Sequence, residues 1–554
     1  MKTRILLCVL TFIGSLSLYG QVQITSEQYQ AYQKIPQEQI LVHANSDFIL
    51  TGETIFYTVY CLMEQTNSLS ELSKYAYVEL VNSDKKSILK QKVKLTKGLG
   101  QGDIFITNSM PTGVYKLISY TEWMKNENLF FQKNIRIVNP FTKSNIVPSP
   151  KVEMAKKIIK SDENSISLDK SSYSKREKVT LDFTQLSRQL QGGKFSLSVK
   201  IKSPIESEIE LNQPLRKSLG NNKVFLPEFR GELIQGKIIP KNSNSILENV
   251  QVGLSIIQEN GISKISRVNA DGQFYFVIDE DYNGGTAIIE VLSRGDYTIE
   301  VIKSQPLDFS NLSFPKLSLN SVDISNIKER AVYMQVENAF ADVKQDSIQK
   351  IETRTPIFRK DALTYQLDDY KRFKTMRETF IEVVELTSIE RENGAYYFKA
   401  KKRDFATSDP KALVIVDGYI ASNHEEIVEM NPRLIKQISV LKKSYKLGSK
   451  VYQGVIYIDT YNRDFVPKEK SNMISITLME PTPIKEYYTP NYEQKNSKRT
   501  PDYRTQLTWQ PRFNSSLDQH SFYTSDVSGT FEITLQGITK DGEMISIKQL
   551  LEVK

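Results

Sequence analysis

The chain has 554 residues, room for three or four domains at roughly 150 residues each. Hydrophobic residues make up 39%, charged residues 25% and aromatics 10%, values that exclude a mainly disordered, collagen-like or polytopic membrane chain. The net charge of +8 is dispersed along the chain, which argues against a nucleic-acid partner. Three histidines, His43, His424 and His520, leave little for the acid–base and metal chemistry that leans on imidazole.

Lys2 and Arg4 precede an apolar run from Ile5 to Leu18 and the small residues Ser17 and Gly20, so residues 1–20 read as an export signal cut near Gly20. The run is shorter than the ~20 residues a spanning helix needs, and the product is expected to be soluble in the periplasm without a membrane span. Cys8 lies early in the apolar run, where no acylated cleavage-site cysteine would sit. Its loss with the leader leaves Cys61 alone, expected as a buried apolar thiol.

Residues 21–139 carry short β-branched and aromatic runs, Thr54–Tyr60, Ala76–Val81 and Gly113–Ile118, bounded by turn residues, and predict a β-sandwich. Residues 140–165, with prolines, serines and lysines, predict a linker. Strands follow over 166–202. Residues 223–310 predict a compact β unit in which Asp271-Gly272 and Asn283-Gly284 form hairpin turns between Ile265–Val268, Phe274–Ile278 and Ala287–Leu292. Helices are expected over Asp323–Asp346 and Thr375–Ile389, within a mixed connecting region 311–410. Residues 411–478 alternate short strands with a helix at Glu425–Asn431. The segment 479–502, rich in Pro, Tyr and Asn, reads as a polar linker and exposed connection before the last strands, 503–554.

Several segments resemble known families. Leu50-Thr51-Gly52-Glu53-Thr54-Ile55-Phe56, Pro111-Thr112-Gly113-Val114-Tyr115 and Tyr120-Thr121-Glu122-Trp123-Met124 resemble the macroglobulin-type β-sandwich of Bacteroidota envelope proteins. Gly231–Lys237, Glu248-Asn249-Val250 and Asn269–Phe274 resemble a carboxypeptidase-regulatory-like unit. Leu413–Gly418, Asn431-Pro432, Val440-Leu441-Lys442 and Gly454–Ile458 resemble the plug domain of TonB-dependent receptors. Only 94 residues follow Thr460, too few for the strands of a receptor barrel, so a transporter is not expected. Leu507–Pro511, Ser521–Asp526 and Gly529–Ile538 resemble closing strands of a second macroglobulin-type domain. The partner expected for them is 166–222, giving a split sandwich with the other modules inserted. The expected fold class is therefore mainly β: tandem macroglobulin/immunoglobulin-like sandwiches, a carboxypeptidase-regulatory-like β domain and a small α+β TonB-plug-like domain. The mixture is similar to that of the periplasmic plug proteins of type 9 secretion translocons.

Few residues form patterns of catalytic or metal-binding chemistry. Asp279, Asp281, Asn283, Gly284 and Glu290 fit the spacing of a calcium loop, but strand-like flanks and the Asn-Gly pair also fit an acidic hairpin turn. A macroglobulin thioester would need Cys-Gly-Glu-Gln, whereas Cys61 precedes Leu62 and Met63. His424 beside Glu425 and Glu426 can be drawn as an acid–base cluster or as a helix start capped by Asn423. Tyr487, Tyr488, Tyr492 and Tyr503 are available either for sugar stacking or for packing. The expectation is a protein without enzymatic site or cofactor. Its expected partner is an outer-membrane protein complex, either a translocon that it occludes or scaffolds or a TonB-dependent uptake receptor beside which it would be a glycan or peptide adaptor. Arg433, Lys442, Lys443 and Lys446 are the expected contact residues.

Overall fold

The computed structural model describes residues 21–23, 30, 32, 34–142, 147–148, 166–202, 223–242, 247–282, 285–319, 321–350, 355–385, 387–400, 411–448, 450–493, 499–514, 516 and 518–554. The expected leader and most of the expected linker 140–165 lie outside them. The chain is mainly β, and among the described residues no helix is long and apolar enough to cross a membrane.

Alternating β-branched residues build the first sandwich, because successive side chains of a strand point to opposite faces. One sheet orders Glu38–Ala44, Thr54–Met63 and Leu99–Phe105. The other orders Phe48–Leu50, Phe131–Val138, Gly113–Tyr120, Tyr75–Val81 and Ser87–Lys94, with the first pair parallel. Val42, Ile55, Val59, Val78, Leu80, Leu117 and Ile137 fill the space between them. Cys61 is part of this core, and burial together with the Glu38 carboxylate pushes its thiol pKa up.

A second core joins residues more than three hundred positions apart. Lys194–Ile201 is hydrogen-bonded on one side to Gln506–Phe513 and on the other to Gly529–Ile538, whose outer neighbour is Met544–Val553. Lys178–Asp182 pairs with Gln519–Tyr523 in the facing sheet. Phe195, Leu197 and Val199 thereby meet Leu507, Phe531, Ile533 and Leu535.

The third unit corrects the hairpin expectation. Ile262–Arg267 pairs with Gln251–Ile256, while Gln273–Ile278 pairs with Glu232–Pro240 in a different sheet. Asp271-Gly272 therefore turns the chain from one sheet to the other. Asn269 accepts from the backbone N–H of Asp271 and Gln273, and Gly272, at φ 79°, accepts the Ile238 N–H of the second sheet. Asn283-Gly284 lies outside the described residues, and the strands it joins, Gln273–Ile278 and Thr286–Val291, also belong to different sheets. Local turn chemistry fixes the bend but carries no information on which strands pair.

A mixed sheet orders Leu363–Gln366, Ile435–Leu447, Lys450–Thr460, Leu413–Val416 and Tyr419–Ile420. Leu413–Val416 runs parallel to Val455–Ile458 and the other neighbours are antiparallel. The helices Met376–Glu382 and His424–Val428 and the hairpin Thr387–Glu392/Ala395–Ala400 supply Phe380, Ile427 and Phe398 to its core, opposite Val414, Val416, Ile438 and Ile458. Residues 363–400, expected as connecting region, thus build this unit. Met473–Thr477, expected with it, instead extends the third unit's sheet beside Thr286–Glu290. The helix expected over Thr375–Ile389 starts at a Thr375/Glu378 capping box but stops at Glu382, and Thr387–Glu392 is a strand. The earlier helix, Ser321–Ala339, lies on the first sandwich, where Arg330 pairs with Glu53 at 2.6 Å.

The described part of the segment expected as an exposed linker runs as a half-exposed strap along the first sandwich. Pro481 bridges Lys92, Thr482 N–H donates to Lys92 O at 2.7 Å, and Lys485 pairs with Asp103 at 2.9 Å. Further on, Asp502 and Arg504 are both buried and pair with each other at 2.7 Å. Of the charges in the described part of this stretch, Lys485 and Asp502 are paired inside the molecule, whereas Glu480, Glu486, Glu493 and Arg499 are exposed.

Candidate partner-contact surface

The Val416-Asp417-Gly418 turn organises the mixed sheet. Asp417 takes φ 51° and Gly418 φ 101°, a left-handed pair that reverses the chain between Leu413–Val416 and Tyr419–Ile420. The Asp417 carboxylate is fully buried and accepts from Thr460 N–H at 2.8 Å and Thr460 Oγ1 at 2.6 Å. Beside it, buried Asp459 pairs with Arg359 at 2.6 Å and with Arg463. Both buried acids have hydrogen-bonding or ion-pair partners.

The same turn fastens this sheet to the third unit. A Cβ on Gly261 would lie 2.2 Å from Asp417 O, and one on Gly418 would lie 2.6 Å from Gly261 Cα, so the two turns touch backbone to backbone. Ser263 Oγ donates to Gly418 O at 2.6 Å, and Ser255 Oγ accepts the Ile420 N–H at 3.1 Å. Glu290 completes the joint: buried in the third unit, it accepts from Tyr419 Oη at 2.7 Å and Lys470 Nζ at 3.0 Å and from Ser422 Oγ.

That placement separates the carboxylates of the calcium-loop pattern. Asp279 pairs with Lys264 at 2.6 Å, Asp281 pairs with Lys94 of the first sandwich, and Glu290 faces Lys470. Asn283 and Gly284 lie outside the described residues. Among the described residues no group of three or more His, Cys, Asp or Glu is arranged to hold a metal. Calcium is expected to leave the melting temperature unchanged, whereas a site held at 100 times its Kd would add about 2.7 kcal/mol. A calcium-dependent rise abolished by Asp281→Ala would contradict this arrangement.

His424 follows its capping residue: Asn423 accepts the Glu425 N–H at 3.0 Å, and His424 Nδ1 accepts the Phe398 N–H at 3.1 Å. Burial, reinforced by Lys411 and Lys450, holds its pKa down to about 4, so the ring is neutral and structural. The rings of Tyr487, Tyr492 and Tyr503 are likewise engaged. Tyr487 packs edge-on to Phe56 and donates to Asp103 at 3.2 Å, Tyr488 N–H donates to Asp346, Tyr492 stacks under Arg176, and Tyr503 stacks on Tyr333.

The four basic residues expected to touch a partner do not form one patch. Arg433 sits in the short turn Pro432–Leu434, whereas Lys442, Lys443 and Lys446 lie far along Ile435–Leu447. At roughly 3.3 Å per residue, the strand from Ile435 to Lys442 spans at most about 23 Å. The lysine end lies past Val440, where pairing with Leu363–Gln366 stops, and Lys443 pairs there with Asp361 at 3.2 Å. Lysines on such an unpaired edge deter strand addition.

Around Arg433 the structure gathers residues that pattern reading misses. Leu434, Tyr461 and Tyr370 are 59%, 45% and 43% exposed. Tyr461 N–H donates to Leu434 O at 3.1 Å, and Arg372 donates to Pro432 O at 3.0 Å, Ile435 O at 2.8 Å and Tyr461 Oη at 2.6 Å. Behind them a shallow hollow is lined by Leu367, Phe373, Val383 and Pro432. The available sequence signal is Leu434 itself, an apolar residue in a polar turn immediately before the sheet's own apolar alternation begins.

No protein-family model matches this chain, and no curated protein matches it. Among solved structures, a Salmonella alpha-2-macroglobulin is 9% identical over 93% of this chain and 39% of its own, with a TM-score of 0.22. The native Escherichia coli alpha-2-macroglobulin is 11% identical over 94% of this chain and 40% of its own, with a TM-score of 0.24. Latent PorU from Porphyromonas gingivalis is 10% identical over 49% of this chain and 34% of its own, with a TM-score of 0.15. The chain spans about two fifths of the length of these macroglobulins. Its fold class rests on its own strands and sheets.

Proposed function

We propose that this chain is a non-enzymatic periplasmic interaction protein that binds an outer-membrane protein complex and scaffolds or caps it, with the periplasmic side of a type 9 secretion translocon as the assembly that fits the plug-like resemblance. The observation that carries the proposal is the fastening of the mixed sheet. Its Asp417-Gly418 turn is locked against Gly261, Glu290 ties Tyr419 and Lys470 to the third unit, and the strand that leaves the sheet, Met473–Thr477, is built into the neighbouring one. A plug that enters a pore alone would have to break these contacts. A cap acting as part of a fixed body keeps them, and this favours capping or scaffolding over insertion. Three of the tyrosines that a glycan-binding adaptor would use, Tyr487, Tyr492 and Tyr503, have their rings against internal partners.

Fractionation of the envelope tests the proposal. The full chain is expected to follow the outer membrane through a density gradient and to leave it in detergent together with a membrane protein. Recovery as a free monomer in the soluble periplasmic fraction would overturn the proposal.

A further inference from the structure

We infer that the outer edge of the second sandwich, Met544 to Leu550, is the docking surface for a second copy of this chain, paired antiparallel about a two-fold axis at Ile547. The inference goes beyond the capping role and does not depend on it. Met544–Val553 ends its sheet, with Gly529–Ile538 on one side and, among the described residues, no strand on the other. Tyr173 meets only its far end, where Tyr173 N–H donates to Glu552 O and Lys554 N–H donates to Tyr173 O, each at 2.9 Å. Glu552 therefore points its backbone groups outward, and alternation along the strand gives Leu550, Lys548, Ser546 and Met544 the same direction. Among the described residues these four meet one hydrogen bond on that side, from Gln549 Nε2 to Leu550 O at 3.3 Å. A row of open amides and carbonyls is completed by another extended backbone, which defines the class of occupant.

The register identifies that occupant. The open span is centred on Ile547, so a copy that covers all of it pairs Met544 with Leu550, Ser546 with Lys548 and Ile547 with itself. Met544 and Leu550 stand 43% and 45% exposed on the solvent face, and this pairing makes them cross-strand neighbours. On the opposite face Ile545 and Ile547, which pack on the second core, continue it across the axis. Lys548 meets serine rather than its own copy, and its Nζ is drawn back over the sheet to Glu532 of the inner strand at 2.9 Å. This edge thus differs from the one at Lys442, Lys443 and Lys446, where lysines guard against strand addition, and no proline interrupts it.

The test is the oligomeric state of the full chain, followed by sedimentation equilibrium over the micromolar range, where a monomer–dimer equilibrium is expected. Ser546→Pro removes one outward N–H and no bond to the inner strand, and Ser546→Lys sets a second charge opposite Lys548. Each should weaken the dimer about tenfold with an unchanged melting temperature, and Ser546→Lys carries the reading should the proline variant melt lower. Ile547 keeps its backbone groups on the inner strand, so across the axis it forms a pair with Cα atoms about 4.5 Å apart, within reach of a disulfide. Under mild oxidation Ile547→Cys should therefore give a linked dimer, whereas Gln549→Cys, offset by about 13 Å from its copy, should not. A chain that stays monomeric throughout the range, or a dimer indifferent to Ser546→Lys, would overturn the surface. Linkage through Gln549→Cys alone would overturn the register. In intact envelopes, a disulfide from Ile547→Cys to a different protein, without the homodimer, would overturn the assigned occupant.

Discussion

Val416→Asp is expected to abolish the folded mixed sheet, the largest single-residue effect this structure predicts. Val416 is fully buried between Ile458, its parallel neighbour, and Tyr419 across the turn, in the core shared with Phe380 and Ile438. A carboxylate there has no cation to meet, and the desolvation of an unpaired charge exceeds the few kcal/mol that a single core contact supplies. Ile458→Ala, which only opens a cavity in the same core, should cost about 2–5 kcal/mol. Because the sheet is fastened to the third unit, the damage should spread. Limited proteolysis of Val416→Asp should cut both in 411–460 and around 473–477. Lys446→Glu, on the exposed edge, should stay within about 0.5 kcal/mol of wild type. A wild-type melt for Val416→Asp would show that this core is not formed as described.

The second large effect is a pH dependence set by Glu228. This residue is 4% exposed at the junction of the first sandwich with the third unit, where Tyr77 Oη donates to it at 3.1 Å. The nearby lysines belong to other acids: Lys92 pairs with Glu232 at 2.6 Å and Lys125 with Glu122 at 2.8 Å. Burial, followed by the charge of Glu122, pushes the Glu228 pKa up to about 8. An unfolded glutamate titrates near 4.3, so between these values the folded chain holds a proton that the unfolded chain has lost. Stability should therefore fall as pH rises through this window, by at most about 1.4 kcal/mol per pH unit, and the contribution should be level below and above it. Lys200, pushed down to about 7 by burial and by Arg330, tilts stability the other way above pH 7. The neutral His43, held at about 3 by burial, does so below the ordinary histidine pKa. The measured quantity is thus the difference between wild type and Glu228→Gln, which should grow in favour of the variant from pH 5 to 8. A difference that is flat, or that shrinks, would mean that Glu228 is ionised in the folded chain.

The fold class was legible because strand alternation is a local signal: Thr54–Met63, Tyr75–Val81 and Gly113–Tyr120 all contain the runs that predict them. Pairing was not legible from turns. Asp271-Gly272 has the chemistry of a hairpin, yet it hands the chain between sheets, because Gly272 meets Ile238 of a strand thirty-four residues away. Composition misled at the strap for a related reason, since Asp502 and Arg504 look solvated one at a time and are buried as a pair. Among the contact residues, sequence proximity grouped Arg433 with Lys442, Lys443 and Lys446, and an extended strand then carried them apart. The apolar residues that distinguish one end from the other come from three separate segments, at Tyr370, Leu434 and Tyr461, and only the folded sheet brings them together.

The most direct measurement of the interaction role is the composition of the particle that the full chain forms after crosslinking in intact cells and purification from detergent-solubilised outer membranes. A capping or scaffolding protein predicts an outer-membrane protein recovered in fixed ratio with the chain. A chain that purifies alone under the same crosslinking would contradict that role.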